Sequence, residues 1–384
     1  MTRPDLYFDY AAATPMLPEA IEAMRPFLSE RFYNSNALYL GAQANKQKLE
    51  ESRHIIAMGL GAKPTEVVFT AGGTEANNLA IKGVMGLSPG CEVITCTVEH
   101  KSVLEPVKKY SHKIIDVDEV GAVNLDELKK AISDKTVLIS IMYANNEIGT
   151  IQPIKEIGQI VAKIRADRLA RGIDTPIYLH TDACQAATCL DLQVSRLGVD
   201  MLTINSGKIY GPKQCGALYV KTGVRLEPQI LGGGQEFNLR SGTENLANIV
   251  GFAKAFEIVR GDYKNESDRE AALRDKLIDF VEHKIPKAVI NGPKNKRRLP
   301  NNIHFTIVGA DAERLLMALD EQGIAVAMGS ACGASEDSQS HVLHSIGLDY
   351  EQAASSIRVS LGRNTTAESI DILGKTLLKI LAIN

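Results

Sequence analysis

Val67-Val-Phe-Thr-Ala-Gly-Gly-Thr-Glu75 packs a short apolar run, a Gly-rich turn and the opening of a helical pattern into one stretch. Its reading decides the fold, because the same alternation returns down the chain. Further apolar runs stand at Val93–Thr97, Val137–Met142, Ile177–His180, Met201–Ile204 and Ala217–Val220. Between them, apolar residues at helical spacing predict helices near Glu75–Met85, Ser102–Tyr110, Leu125–Ser133 and Ile154–Arg171. Strands that alternate with helices predict an α/β fold with a mostly parallel sheet covered on both faces.

Outward from this block, helices are expected at Pro18–Leu28 and Ala42–Leu60. After about Asn245 the pattern changes. Two long amphipathic helices, Leu246–Arg260 and Asn265–His283, precede three strands at Ile303–Val308, Ala325–Met328 and Ile357–Leu361. Helices near Ala312–Gln322 and Ala367–Leu381 separate those strands. This reads as a second, smaller α+β domain, with Leu246–Arg260 as a hinge. The expected division is residues 16–259 for the large domain, and 1–15 with 260–384 for the small one. A length of 384 residues fits two or three domains.

Composition narrows the function. Hydrophobic residues at 45% and charged residues at 23% supply a large core and exclude disorder as the dominant state. A formal charge of −3 argues against nucleic acid as a partner, and the basic cluster Lys294–Arg298 reads as a solvated loop. No apolar run is long enough to span a bilayer, and Met1–Asp9 lacks the layout of a signal peptide. A cytoplasmic location is expected. None of the six cysteines forms a CxxC pair, so no metal site is expected and reduced thiols are the default. Five read as small packing groups; Cys332 is the exception.

Four segments carry chemistry-bearing residues. In Thr70-Ala-Gly-Gly-Thr-Glu75, backbone N–H groups and the Thr74 hydroxyl suit a phosphate at a helix start, or Thr74 simply caps a tight turn. In Leu179-His-Thr-Asp-Ala-Cys-Gln185, Asp182 falls at the C-terminal edge of a strand, where open α/β sheets bind ligands, or it caps a helix. In Asn205-Ser-Gly-Lys-Ile-Tyr-Gly-Pro-Lys213, Lys208 is either a desolvated, Schiff-base-forming amine or a snorkelling surface lysine. In Met328-Gly-Ser-Ala-Cys-Gly-Ala-Ser-Glu-Asp-Ser-Gln-Ser340, a loop of small polar residues presents Cys332 as a nucleophile or as an accidental surface thiol.

Taken together and in this order, the segments resemble the cysteine desulfurases of the NifS/IscS-like branch. These belong to the class-V aminotransferase group of pyridoxal phosphate (PLP) enzymes. The resemblance runs from Tyr7-Phe-Asp-Tyr-Ala-Ala-Ala-Thr-Pro15 to Ile357-Arg-Val-Ser-Leu-Gly-Arg363. It takes in Val98-Glu-His-Lys-Ser102, Asn145-Asn-Glu-Ile-Gly149, Leu231-Gly-Gly-Gly-Gln235 and Arg240-Ser-Gly-Thr243. It implies a fold-type I PLP-dependent transferase, whose large domain has a seven-stranded-type sheet between helices. Lys208 would hold PLP, Asp182 would pair with the ring nitrogen, Gln185 with the ring hydroxyl, and His100 would stack on the ring and shuttle protons. Gly73 and Thr74 would bind the phosphate, joined by Thr243 from the partner subunit of a homodimer. Asn146, also counted among the cofactor contacts, and Arg358 would hold the substrate carboxylate, with Arg363 as the alternative. Cys332 would take the sulfur of L-cysteine as a persulfide, leaving alanine. It would pass that sulfur to an acceptor protein of the iron–sulfur scaffold or tRNA-thiolation type.

The chain departs from the family at the PLP lysine, where Ser-x-His-Lys is usual and Asn205-Ser-Gly-Lys208 stands here. Asn205 retains an amide donor, Ser206 would compensate if the turn is rotated, and Gly207 has no side-chain donor. Weaker cofactor retention than in relatives is therefore expected. Milder departures are Asn34-Ser-Asn-Ala-Leu-Tyr39 and Phe237-Asn238. Two other activities fit parts of this pattern. A selenocysteine or cystine lyase would not need Cys332, and a non-catalytic sulfur-relay or assembly-scaffold relative would not need Lys208 and Asp182.

Overall fold

The computed structural model describes residues 3–328 and 340–382. Cys332 and most of its loop lie outside the described residues.

The strands β1 (Val67–Thr70), β2 (Glu92–Cys96), β3 (Ser111–Ile115), β4 (Thr136–Ser140), β5 (Tyr178–Asp182), β6 (Met201–Asn205) and β7 (Gly216–Val220) form one sheet in the order β1-β7-β6-β5-β4-β2-β3. Only β7 runs against the rest, since it pairs antiparallel with both β1 and β6. β1, β4 and β7 are buried along their whole length, which is why they read as continuous apolar runs. β3 escaped the sequence reading because it is a largely exposed edge strand, with Ser111, His112 and Lys113 in place of an apolar run.

A second sheet, ordered β10-β11-β9-β8, joins β8 (Ala288–Ile290), β9 (Asn302–Ile307), β10 (Ala327–Met328) and β11 (Ser356–Ser360). Its core holds Phe305, Val359, Leu315 and Leu373, and the N-terminal residues Leu6 and Phe8 pack there too.

The two expected helices after Asn245 are one helix, Leu246–Lys284. Its first half buries Phe252, Phe256 and Val259, and its second half buries Leu273, Leu277 and Val281. The stretch between faces solvent, so the hydrophobic period lapses although the helix does not. The expected hinge and the boundary at 259/260 therefore fall inside a continuous helix. Where this helix meets Leu40–Leu60, Gly59 is required, because a Cβ there would lie 2.2 Å from the Phe256 ring. The expected helix Pro18–Leu28 stops at Met24 and tightens into a 3-10 turn, Arg25–Phe27, at Pro26.

Candidate active site

Parallel strands deliver their C-terminal ends to one place, the usual ligand edge of an open α/β sheet. β1 leads through Ala71 and Gly72 into the helix Gly73–Gly86. The helix N-cap is Gly72, at φ 146° and with no side-chain cap, so Thr74 is not the cap and the first-turn N–H groups are left free. Gly73 is needed because a Cβ there would come within 2.8 Å of the Cys184 sulfur.

Asp182 closes β5 and is 8% exposed. Asn77 Nδ2 donates to its Oδ2 at 2.7 Å, and the Cys184 N–H donates to its Oδ1 at 2.9 Å. Two fixed neutral donors orient the carboxylate and leave it acceptor capacity. His100 follows β2. Its Nδ1 accepts the Ser102 N–H at 3.1 Å, which places the proton of the neutral ring on Nε2. Burial lowers its pKa, so the neutral form prevails.

Asn205 ends β6, and its Oδ1 accepts the Gly207 N–H at 3.0 Å. The Lys208 ammonium donates to the carbonyls of Ala11 at 2.7 Å and Ala12 at 2.6 Å. Burial lowers its pKa as well. Gln185 Nε2 reaches the same Ala11 carbonyl at 2.9 Å. From β11, Arg358 Nη1 donates to the Asn146 carbonyl at 3.1 Å and Nη2 to Asp9 Oδ1 at 2.8 Å. Its Nε is buried without a partner. Behind His100, Glu99 accepts the Met142 N–H, and burial pushes its carboxyl up to about 8.

Gly73, Thr74, His100, Asn146, Asp182, Gln185, Asn205, Lys208 and Arg358 all line one cavity of about 300 Å³. A neighbouring cavity of about 660 Å³ shares Gly73, Thr74, Asn205 and Lys208 with it. Of the described residues expected here, Ser206, Thr243 (expected from the partner subunit) and the alternative Arg363 line neither cavity. The 3-10 turn Ser206–Lys208 turns Ser206 inward, with its hydroxyl unpartnered and facing Gly211. Thr243 is exposed and lines neither cavity. Cys332 lies outside the described residues. Arg363 stacks on the Tyr210 ring at 5.6 Å instead of lining the cavity. The sequence reading missed Asn77, Ser102, Asp9 and the carbonyls of Ala11 and Ala12. Asn77 had a signal, standing three residues after Thr74 and so on the same helix face. Backbone carbonyls carry none.

The class-V aminotransferase family model matches residues 6–373. The chain belongs to that family, in its cysteine desulfurase branch. It is 44% identical over 391 aligned positions to the cysteine desulfurase IscS of Dictyoglomus turgidum, covering 99% of this chain and 96% of the relative. Among solved structures, a NifS-like protein superposes with a TM-score of 0.90 at 32% identity, covering 100% of both chains. A structure of SspA in complex with cysteine gives 0.80 at 33%, covering 94% of this chain and 99% of that one. The mixed sheet with one reversed strand, and the cavity at its C-terminal edge, are therefore a class-V aminotransferase fold. No helix among the described residues is long and apolar enough to cross a membrane.

Proposed function

We propose that this cavity takes PLP and L-cysteine, and that the chain moves the substrate sulfur onto Cys332 with release of L-alanine. One observation carries the reading: a half-buried amine, a buried carboxylate, a guanidinium with a free donor and an uncapped helix start share one cavity.

The donor set fits PLP part by part. The free N–H groups at Gly73 and Thr74 suit a phosphate. Asp182 suits a protonated ring nitrogen, Gln185 a phenolic oxygen and Lys208 an aldehyde. The orphaned Nε of Arg358 suits the substrate carboxylate, with Asn146 beside it. PLP bound through Lys208 supplies an electron sink for charge that develops at the substrate α-carbon.

The chain's own groups do the remaining work. Burial favours the neutral Lys208 amine, the form that bonds an aldehyde and later takes the α-proton. His100 presents Nε2–H, a donor fixed by Ser102, to carry protons at the ring face. The Cys332 thiolate attacks the substrate sulfur. An S–S bond forms, the C–S bond breaks with its electron pair on the carbon side, that carbon takes up a proton, and the proton held by Lys208 returns to the α-carbon to complete alanine.

The exposed Thr243 supports a homodimer. Ser35 bonds Glu244 at 2.9 Å, so Thr243 adjoins the segment carrying Phe32, Leu38 and Leu40, which are 72%, 90% and 83% exposed. Residues 16–259 would supply most of the cofactor contacts, while 1–15 and 260–384 would form the small domain, with Leu299, Val342, Leu343 and Ile346 packed against the first core. The five described cysteines are unpaired, in keeping with a reducing cytoplasm. The persulfide would pass to an iron–sulfur scaffold or a thiolation protein.

The test is alanine formation by purified protein supplied with PLP, a reductant and L-cysteine. Formation that vanishes in both Cys332→Ala and Lys208→Ala supports the reading. Alanine formation that survives Cys332→Ala would make the chain a lyase. No PLP uptake would leave a relay or scaffold protein.

A further inference from the structure

The larger cavity has an anion-binding shape and an incomplete charge balance. Its walls are Gly72, Gly73 and Thr74 at the uncapped helix start, Asn205, Gly207 and Lys213. Glu75 also faces it, but Arg240 pairs with that carboxylate at 2.9 Å and the Ala71 N–H donates to it at 3.0 Å. Lys208 cannot serve as the counter-charge. Its nitrogen is directed at the Ala11 and Ala12 carbonyls, and under the PLP reading it is spent on the aldehyde. Asn205 spends its oxygen on the Gly207 N–H, which leaves one neutral amide donor. A phosphate dianion would meet N–H dipoles, a hydroxyl and an amide, and one remaining cation.

That cation is Lys213. Its side chain is exposed and has no hydrogen bond or ion pair among the described residues. Its stem runs past position 207. A Cβ built on Gly207 would lie 3.6 Å from Lys213 Cγ and 3.8 Å from its Cα. Lys213 thus stands beside position 207 in the wall of the cavity that the helix start also lines.

We propose that Lys213 binds the cofactor phosphate, supplying the positive charge that residue 207 cannot. This rests on the PLP reading above and assigns a residue that neither the motif nor the smaller cavity singles out. An ammonium on a flexible stem acts as a point charge, so the contact tolerates arginine and is weakened by salt.

The measurement is equilibrium PLP uptake by apoprotein, followed by the cofactor's absorption, with pyridoxal as the phosphate-free control. Lys213→Ala should weaken PLP binding roughly ten- to hundredfold, the value of one charge-assisted bond. It should leave pyridoxal binding unchanged and flatten the salt dependence. Lys213→Arg should stay near wild type. Gly207→His added to Lys213→Ala should recover affinity, because a Cβ at 207 meets only ordinary contacts. Equal PLP affinity in Lys213→Ala and wild type would overturn the assignment and leave the cofactor reading standing. An equal loss for pyridoxal would also overturn it, by showing a general disturbance of the site. No PLP uptake by wild type would overturn the cofactor reading and this assignment with it.

Discussion

Arg358→Lys separates charge from geometry at the substrate end of the cavity. Arg358 is 5% exposed and already commits Nη2 to Asp9 at 2.8 Å and Nη1 to the Asn146 carbonyl at 3.1 Å. What it has left for a carboxylate is the unpartnered Nε and the remaining N–H groups of the same rigid fork. A lysine keeps the charge and can keep the Asp9 pair, but its one nitrogen cannot also reproduce the fork. One charge-assisted hydrogen bond is worth about 1.5–3 kcal/mol, so kcat/KM for L-cysteine should fall roughly ten- to hundredfold. The loss should appear mainly in KM, since the carboxylate is bound equally before and during reaction. PLP uptake should not change, because Arg358 does not line the larger, phosphate-side cavity. The assay is alanine formation against cysteine concentration, with PLP loading measured on the same samples. Arg363→Lys is the control, its guanidinium being stacked on Tyr210. An unchanged KM in loaded Arg358→Lys, or a larger effect at Arg363, would refute the assignment.

Glu99 gives a pH prediction. Burial raises its pKa from 4.5 to about 8, so its contribution to stability is fully present below 4.5 and is lost as pH rises to about 8. The stability difference between wild type and Glu99→Gln should therefore move toward the variant by a few kcal/mol over that range. Denaturant unfolding at a series of pH values would show it, and a constant difference would sink it. Arg53 and Glu236 form a buried pair, each side chain 3% exposed, with Arg53 also stacked 4.9 Å from the Phe69 ring. Arg53→Ala should cost about 3–5 kcal/mol of unfolding free energy by stranding the carboxylate. A loss under 1 kcal/mol in the same unfolding assay would contradict that (about the worth of a surface pair).

What could be read from the sequence follows burial. β1, β4 and β7 are buried throughout and mostly apolar because both their faces are covered, so their positions were legible within a residue or two. β3 opens with the exposed or half-exposed Ser111, His112 and Lys113, and β8 is apolar but only three residues long, too short to stand out. The long helix was split because its middle passes through solvent between two cores. At the site, Lys208, Asp182, His100 and Arg358, all named from the sequence, come together in one cavity. Their supports were not named. The carbonyls of Ala11 and Ala12 hold Lys208 from a distance of about 200 residues in sequence, with nothing in an alanine to announce it. Ser206 was misjudged because a 3-10 turn, unlike an extended strand end, rotates successive side chains away from one another.

The second sheet bears on the proposed role of a thiol at position 332. β10 pairs with β11 so that Ala327 faces Arg358 and Met328 faces Ile357. Arg358 is itself a wall of the cavity. Cys332 follows Met328 by four residues. Covalent geometry limits that tether to about 14 Å. The chain returns at Ser340, which donates to Glu147, and at His341, whose Nε2 meets the Glu99 carbonyl at 2.7 Å. Those anchors adjoin Asn146 and His100 in sequence, two residues of the same cavity. Both ends of the Cys332 segment are thus tied to elements that form the site. Chain length alone limits the reach of position 332 from Met328, whose strand pairs with that of Arg358. Under the proposed reading, an acceptor would have to approach the mouth of this cavity to receive sulfur, because a tether of four residues is too short to reach a distant face of the molecule.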